Sequence, residues 1–388
     1  MTLSTAEPRY LRICNELQKQ IANGELPAGK RLPKVEELCA KHKVSSITVR
    51  RAMSMLADDG TVRRVPGCGT FVADTGSKNM KTASRTISLV FANLYGCFPS
   101  AIITGIESVI REAGYKTQIY VSEDNYGIER EHVKQLINEG PAGIILFGVC
   151  RSTINPNCDI FLAVKARGIP LVLVDTFLPS LDLDHVVSAD FDGSYAIAEH
   201  FINSGHREIG YVRLSEKVSS IEARFAGFQK AMADNDLPVR SKYVISVGNI
   251  SDYRNFGVQS CEQLVRHIRG LKDDLPTAFL CYTDGMAFSL YRALREVGIK
   301  MPQDVAIGGF GGGYEAEMFP VPLTTVIQPT EEVGVRAAQL LLERINHSED
   351  NSNTQHIALP TKLIVGSSCV INSDRHDSAK KSLFRVKE

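Results

Sequence analysis

From residue 86 onward the chain repeats one unit, a short and almost wholly apolar β-rich run followed by an amphipathic helical stretch. The runs are TISLVFANL, KTQIYVS, AGIILFGV, PLVLVD, HVVSA, EIGYVRL, YVISVG, AFLCY and VAIGGF, with helical stretches such as Asp192–Asn203, Glu222–Asp234 and Gly285–Val297 between them. Strands that are apolar on both faces must be covered on both faces, so the pattern predicts parallel sheets with helices on either side. The same order of elements recurs before and after about residue 188, which predicts two similar subdomains rather than one large sheet. HSEDNSNTQH (347–356) reads as a polar loop, and after Asn372 no core pattern is left.

The first 73 residues follow another rule. Tyr10, Ile13, Leu17 and Ile21 recur at helical spacing and stop at Gly24; the turn-rich GELPAGKRLP separates this helix from a short second one carrying Val35, Leu38 and Cys39. Ser45 caps a third helix, in which Val49, Ala52, Met53 and Leu56 form a buried stripe. TVRRVPGCGTFVA then reads as two strands around Pro66-Gly67-Cys68-Gly69, a hairpin. Three helices and a hairpin predict a winged helix-turn-helix over residues 1–73. Residues 74–85, DTGSKNMKTASR, are small, polar and basic, as a linker is.

Charge supports that division. Over the whole chain 44 Lys and Arg balance 44 Asp and Glu, and a net charge of zero argues against a polyanionic partner. By region the zero is a cancellation: residues 1–85 hold 15 basic and 8 acidic side chains and the remainder 29 and 36, so +7 stands against −7. Much of the basic excess flanks the third helix, at Lys30, Arg31, Lys34, Arg63 and Arg64. The helix itself opens on SSITVRR, with Ser45, Ser46, Thr48, Arg50 and Arg51. At the N-terminus of a helix in a major groove, Arg binds guanine bidentately and hydroxyls meet base or phosphate. Alone, the string equally fits a capped, solvated surface helix; its basic surroundings favour nucleic acid. Gly67 and Gly69 fit a tight turn and also allow close backbone approach to a minor groove.

Other classes find little support. The longest apolar run, Ala142–Cys150, has nine residues against the roughly 20 of a membrane span. The N-terminus lacks the apolar core of a signal peptide, and the nine cysteines are scattered without metal-ligand spacing, so reduced thiols in the cytoplasm are expected. No Ser/His/Asp set, metal cluster or phosphate loop emerges, and neither cofactor nor enzymatic activity is expected. His206 reads as a hydrogen-bonded turn residue, and GFGGGY lacks the context of a nucleotide-binding loop.

Residues 8–73 resemble the DNA-binding domain of the GntR family through G-x-L-x-x-G-x-x-L-P, V-S-x-x-T-V-R and G-x-G-T-F-V, the last containing Thr70. Family members usually carry Arg where Ser46 stands and a basic residue near Glu36, so the operator is not borrowed from relatives. Residues from about Thr86 to Cys369 resemble instead the periplasmic-binding-protein-like domain of the LacI/GalR family, through FPSAIITGIESVIREAGYK, SADFDGSYAIAEHFINSGHREIGYV, MPQDVAI and PLTTVIQP. The combination is similar to the arabinose repressors of bacilli. The resemblance implies an α/β fold: a type I periplasmic-binding-protein domain over 86–372, built of two Rossmann-like subdomains. Subdomain one comprises 86–188 plus 328–350, with the last helix Thr330–Asn346 returning to it; subdomain two comprises 189–327 plus 351–372, and 373–388 form a flexible tail.

The resemblance also implies a ligand between the subdomains. Phe98 becomes a stacking surface, Asp190 and Arg224 polar anchors, and Thr283 with Asp284 the contacts at a strand end. Without it, Asp190 is a helix cap and Arg224 a surface ion pair. Many sugar-binding relatives have Asp where Gly311 stands and Asn where Thr283 stands; Tyr314 fills part of that space. The expected protein is a homodimeric, ligand-responsive repressor of carbohydrate-utilisation genes, bound to operator DNA and released by a sugar-like effector. The alternatives are a DNA binder that its ligand strengthens, and a sugar-acting enzyme.

Overall fold

The stripe Tyr10, Ile13, Leu17 and Ile21 folds as helix α1 (Arg9–Ala22) in the computed structural model, which describes residues 9–23, 25–27, 29–58, 61–65, 69–72, 84–149, 155–248, 256–271, 274–346 and 353–369. The chain divides into two units, Met1–Ala83 and Ser84–Glu388. In the first, helix α2 (Val35–His42) begins where the Lys34 backbone N–H donates to Glu37 Oε2 at 3.1 Å and ends at Lys43 in the left-handed region, φ 50°. Helix α3 (Ser46–Asp58) starts at Ser45, whose Oγ accepts the Thr48 N–H at 3.4 Å. Strands β1 (Val62–Val65) and β2 (Gly69–Val72) pair antiparallel from Val62↔Val72 to Val65↔Gly69. Ile13, Leu17, Leu38, Val49, Leu56, Val62 and Val72 make one core. Each such side chain contributes about 1.5–3 kcal/mol relative to exposure. The expected hairpin tip at Gly67, residues 74–83 of the expected linker and the tail at 373–388 lie outside the described residues.

The second unit realises the strand-helix alternation as two sheets. Its first half runs β3 (Thr86–Phe91), α4 (Cys97–Glu112), β4 (Lys116–Val121), α5 (Tyr126–Glu139), β5 (Gly143–Phe147), α6 (Cys158–Ala166), β6 (Leu171–Val174) and β7 (Asp184–Ser188). The chain then passes to the other half through α7 (Asp190–Asn203), β8 (Ile209–Leu214), α8 (Ser219–Asp234), β9 (Val244–Val247), α9 (Phe256–Leu271), β10 (Ala278–Cys281), α10 (Asp284–Glu296), β11 (Ala306–Gly311) and β12 (Thr324–Ile327). Helix α11 (Thr330–Asn346) returns to pack on α4, followed by β13 (His356–Leu359) and β14 (Lys362–Ile364). The sheets have the orders β13-β7-β6-β5-β3-β4 and β14-β12-β11-β10-β8-β9. Every pair in them is parallel except β12 with β14.

One boundary differs from expectation. Residues 351–372 were assigned to the second subdomain, but β13 pairs with β7, His356 opposite His185 and Leu359 opposite Ser188, and so closes the edge of the first sheet. The crossing therefore falls at Pro360 and Thr361, between β13 and β14. HIAL is an edge strand of alternating exposure, without the apolar run that marks the inner strands. The helices also begin one to three residues earlier than the apolar pattern does, at Asp190, Ser219 and Asp284. Among the described residues no helix is long and apolar enough to cross a membrane.

Helices α4 and α11 touch backbone to backbone. A Cβ at Gly105 would lie 2.0 Å from the Glu331 carbonyl oxygen, and one at Gly334 would lie 2.1 Å from that of Ile102. Neither carbonyl can move without breaking its helix, so Gly334→Ala is expected to lower stability by about 2–4 kcal/mol. Gly270→Ala, which enters open space on α9, is expected to be neutral or to stabilise by up to about 1 kcal/mol. Paired urea unfolding curves of the two variants check both.

Candidate functional site

Two surfaces carry chemistry, one in each unit. In the first, the Ser45 and Thr48 hydroxyls lie 3.0 Å apart and bond each other, so both serve the start of α3. Ser46, Ile47, Arg50 and Arg51 are exposed. Arg51 is drawn aside, its guanidinium 4.3 Å from the centroid of the Tyr10 ring on α1, a cation–π contact. Lys30 Nζ donates to the Glu25 carbonyl at 3.3 Å, and Lys34 stands exposed at the start of α2. Arg31 crosses the hairpin at Gly69, φ 117°, where an added Cβ would meet its Nε at 2.7 Å. The neighbouring Leu32 N–H donates to the Thr70 carbonyl, which joins this segment to β2. Arg63 and Arg64 stand opposite Phe71 and Thr70 in the β1–β2 pairing. The structure thus gathers Lys30, Arg31, Gly69 and Thr70 along the hairpin, with Ser45, Ser46, Thr48 and Arg50 at the start of α3.

The second surface is a cleft of about 710 Å³ within the second unit. It opens at the carboxyl ends of strands from both sheets, with Phe147, Asp175, Leu214, Tyr282, Phe310 and Gln328 among its lining residues. Doubly wound sheets expose residues for a ligand at this end, where each strand hands over to loop or helix.

Arg224 of α8 organises the second-half wall. Only 5% exposed, it donates from Nε to Asp190 Oδ1 at 2.8 Å and from Nη1 to the Tyr282 carbonyl at 2.7 Å. Its guanidinium lies 4.0 Å from the Phe310 ring centroid. Asp190, in the first turn of α7, is itself 5% exposed and is not among the cleft-lining residues; it acts through Arg224. Burial pushes its carboxyl up, against the pull of the guanidinium.

The other expected contacts divide into lining and scaffold. Phe98 lines the cleft beside Phe147, ring centroids 6.2 Å apart, and Tyr314 stands half exposed at the rim. Thr283 and Asp284 also line it, each with an internal duty. Thr283 Oγ1 accepts the Met286 N–H at 3.2 Å and caps α10. Asp284 accepts from Thr325 Oγ1 and from the Gly312 N–H, both at 2.6 Å, and so holds the ends of β11 and β12 together. Gly311, at φ 135°, begins the turn that brings the Gly312 N–H there.

Asp175 and Gln328 also line the cleft and were not among the expected contacts. Asp175 closes the β-rich run PLVLVD, and Gln328 is the penultimate residue of PLTTVIQP. Asp175 directly follows β6 with φ 65°, a left-handed conformation rare outside glycine. Among the described residues no hydrogen bond reaches its side chain, and burial, reinforced by the charge of Asp190 and opposed by Arg224, pushes its carboxyl up to about 7. Gln328 Nε2 donates to Ser188 Oγ at 3.2 Å. His206, as expected, is a buried turn residue, its Nδ1 2.9 Å from Thr277 Oγ1.

A basic helix-turn-helix face and a cleft between two Rossmann-like sheets define a transcription regulator with a DNA reader and a ligand sensor. Comparison with known families agrees: residues 9–72 match the bacterial regulatory proteins of the gntR family, and residues 198–369 match the periplasmic binding protein-like domain. The chain is 27% identical over 338 residues to the arabinose metabolism transcriptional repressor of Geobacillus stearothermophilus, covering 87% of this chain and 91% of that one. It is 28% identical over 368 residues to the repressor of the same name from Halalkalibacterium halodurans, with 92% and 96% covered. Among solved structures, a LacI family transcriptional regulator from Enterococcus faecium with bound ribose is similar, with TM-score 0.60, 25% identity and coverage of 74% of this chain and 98% of that one.

The raised carboxyl of Asp175 has a definite consequence for stability. Between its ordinary value of 3.8 and about 7 the folded state holds a proton that the unfolded state has lost, so its contribution falls as pH rises through that window. Glu129 behaves alike: buried, and bonded by the Val149 N–H at 2.6 Å and Asn157 Nδ2 at 2.8 Å, it is still pushed up to about 7 by burial. Relative to Asp175→Asn, wild-type protein is therefore expected to lose melting temperature from pH 4 to pH 7 and to level off above that. Thermal scans of both proteins across that range test it; parallel curves would contradict it.

Proposed function

We propose that the chain is a cytoplasmic, homodimeric repressor that holds an operator through two winged helices and is released when its cleft closes on a carbohydrate. The observation that carries this reading is the composition of the cleft. Arg224 is a fixed donor, the Asp175 carboxylate is an acceptor facing the cleft, and Thr283 and Gln328 add a hydroxyl and an amide. Phe98 and Phe147 supply an aromatic wall. Vicinal hydroxyls both donate and accept while the C–H face of a sugar packs on aromatic rings, so this set suits a sugar. The relatives named for arabinose metabolism and the ribose-bound neighbour support the same class. Asp284 and Asp190 serve as positioning residues, the first for the β11–β12 ends and the second for Arg224.

A dimer with two-fold symmetry calls for an operator with two half-sites. Rotation of one sheet toward the other on ligand closure alters the placement of the DNA-binding units, with a coupling typically worth about 1–3 kcal/mol. Because the coupling is reciprocal, operator DNA weakens sugar binding by the same factor. The test has two stages. A thermal-shift screen of pentoses, hexoses, uronates and deoxy sugars identifies the effector, since a ligand of the native state raises its melting temperature. Operator titrations with and without that sugar then give the sign: repression with induction predicts weaker DNA binding, strengthened binding means a ligand-activated DNA binder, and unchanged affinity contradicts the coupling. Arg50→Ala is expected to weaken operator binding by roughly 1–3 kcal/mol and to relax preference at one base pair; uniform weakening on all sequences would make it a phosphate contact.

A further inference from the structure

We propose that Ile47 reads sequence, by packing against the 5-methyl group of thymine in the major groove; the inference deepens the DNA-binding reading and rests on it. The buried stripe Val49, Ala52, Met53 and Leu56 fixes which side of α3 meets the core. Ile47 lies on the opposite side, with Arg50 and Arg51 three and four residues further on, so the three share the outward face. It is 77% exposed, more than any other large apolar side chain among the described residues. An isoleucine there does nothing for the helix, since a β-branched residue is a poorer helix former than alanine and leaves its apolar surface in water.

The neighbours narrow the choice of occupant. Ser45 and Thr48 spend their hydroxyls on each other, and Arg51 is held over Tyr10, so Ser46, Ile47 and Arg50 are the side chains left to face a groove. Arg50 and Arg51, both exposed on the same face, make the surroundings of Ile47 cationic, which suits a polyanionic duplex better than the apolar face of a protein partner. Of the four base pairs, those with thymine offer a methyl group in the major groove, and this is the surface an aliphatic side chain can recognise.

The experiment uses the full-length chain. Duplexes selected from a randomised pool are re-made with each thymine of a half-site replaced in turn by uracil, which removes the 5-methyl group alone, and affinity is measured at one fixed salt concentration. At one or two positions uracil is expected to weaken wild-type binding about three- to tenfold. Ile47→Ala, a substitution at an exposed site toward a better helix former, is expected to bind thymine and uracil duplexes alike at those positions, whereas Arg50→Ala keeps the discrimination. Uracil tolerated at every position, or discrimination that survives Ile47→Ala, would overturn the proposal and leave the DNA-binding reading standing. A pool that yields no enriched sequence would overturn both.

Discussion

The buried guanidinium of Arg224 is the constraint around which the second unit is arranged. A charge only 5% exposed needs partners for its donors, and they come from separate elements: Asp190 from α7, the Tyr282 carbonyl from the end of β10, and the Phe310 face from β11. A buried pair of this kind contributes little net stability, because desolvation offsets the attraction, but one partner without the other is strongly destabilising. Its worth lies in position. Helix α8 is thereby tied to α7, to the end of β10 and to β11, and a cationic donor is set at the wall of the cleft.

The first sheet meets that wall with a different chemistry. Phe98 and Phe147 bring flat apolar surface, and Asp175 brings a carboxylate whose backbone is held in a left-handed conformation. On the proposed function, a ligand bridging these groups would exchange water in the cleft for contacts to both halves. The Gly105–Gly334 crossing of α4 and α11 leaves no room for a side chain between the two helices.

Much of this was legible in the chain itself, and the exceptions have physical causes. Near-continuous apolar runs, helix stripes and regional charge sufficed for two doubly wound halves and a basic winged helix, since all depend on local pattern and burial. The membership of β13 did not show, because HIAL is an edge strand whose partner, β7, lies far away in sequence. Nor did the internal duties of Thr283, Asp284 and Arg51: a cap, a brace between two strand ends and a cation–π contact are set by tertiary neighbours. Asp175 stood at the end of a quoted strand and passed unremarked, for nothing in PLVLVD announces a positive φ or a cleft beside it. At Gly311, which replaces the Asp that the resemblance leads one to look for, the backbone turns so that the Gly312 N–H reaches Asp284.

The most direct test of this account is calorimetric titration of the sugar that a thermal-shift screen selects into wild-type protein and into the paired variant Arg224→Met with Asp190→Leu. Removing both charges together leaves neither buried alone, so the variant is expected to keep a cooperative thermal transition near that of the wild type. The account predicts that wild-type protein binds a sugar of that screen and that the folded variant binds it at least roughly 100-fold more weakly, the loss of a charged donor in a desolvated site. Equal affinity in the two proteins, or a wild-type chain that binds no sugar of the screen, would contradict it.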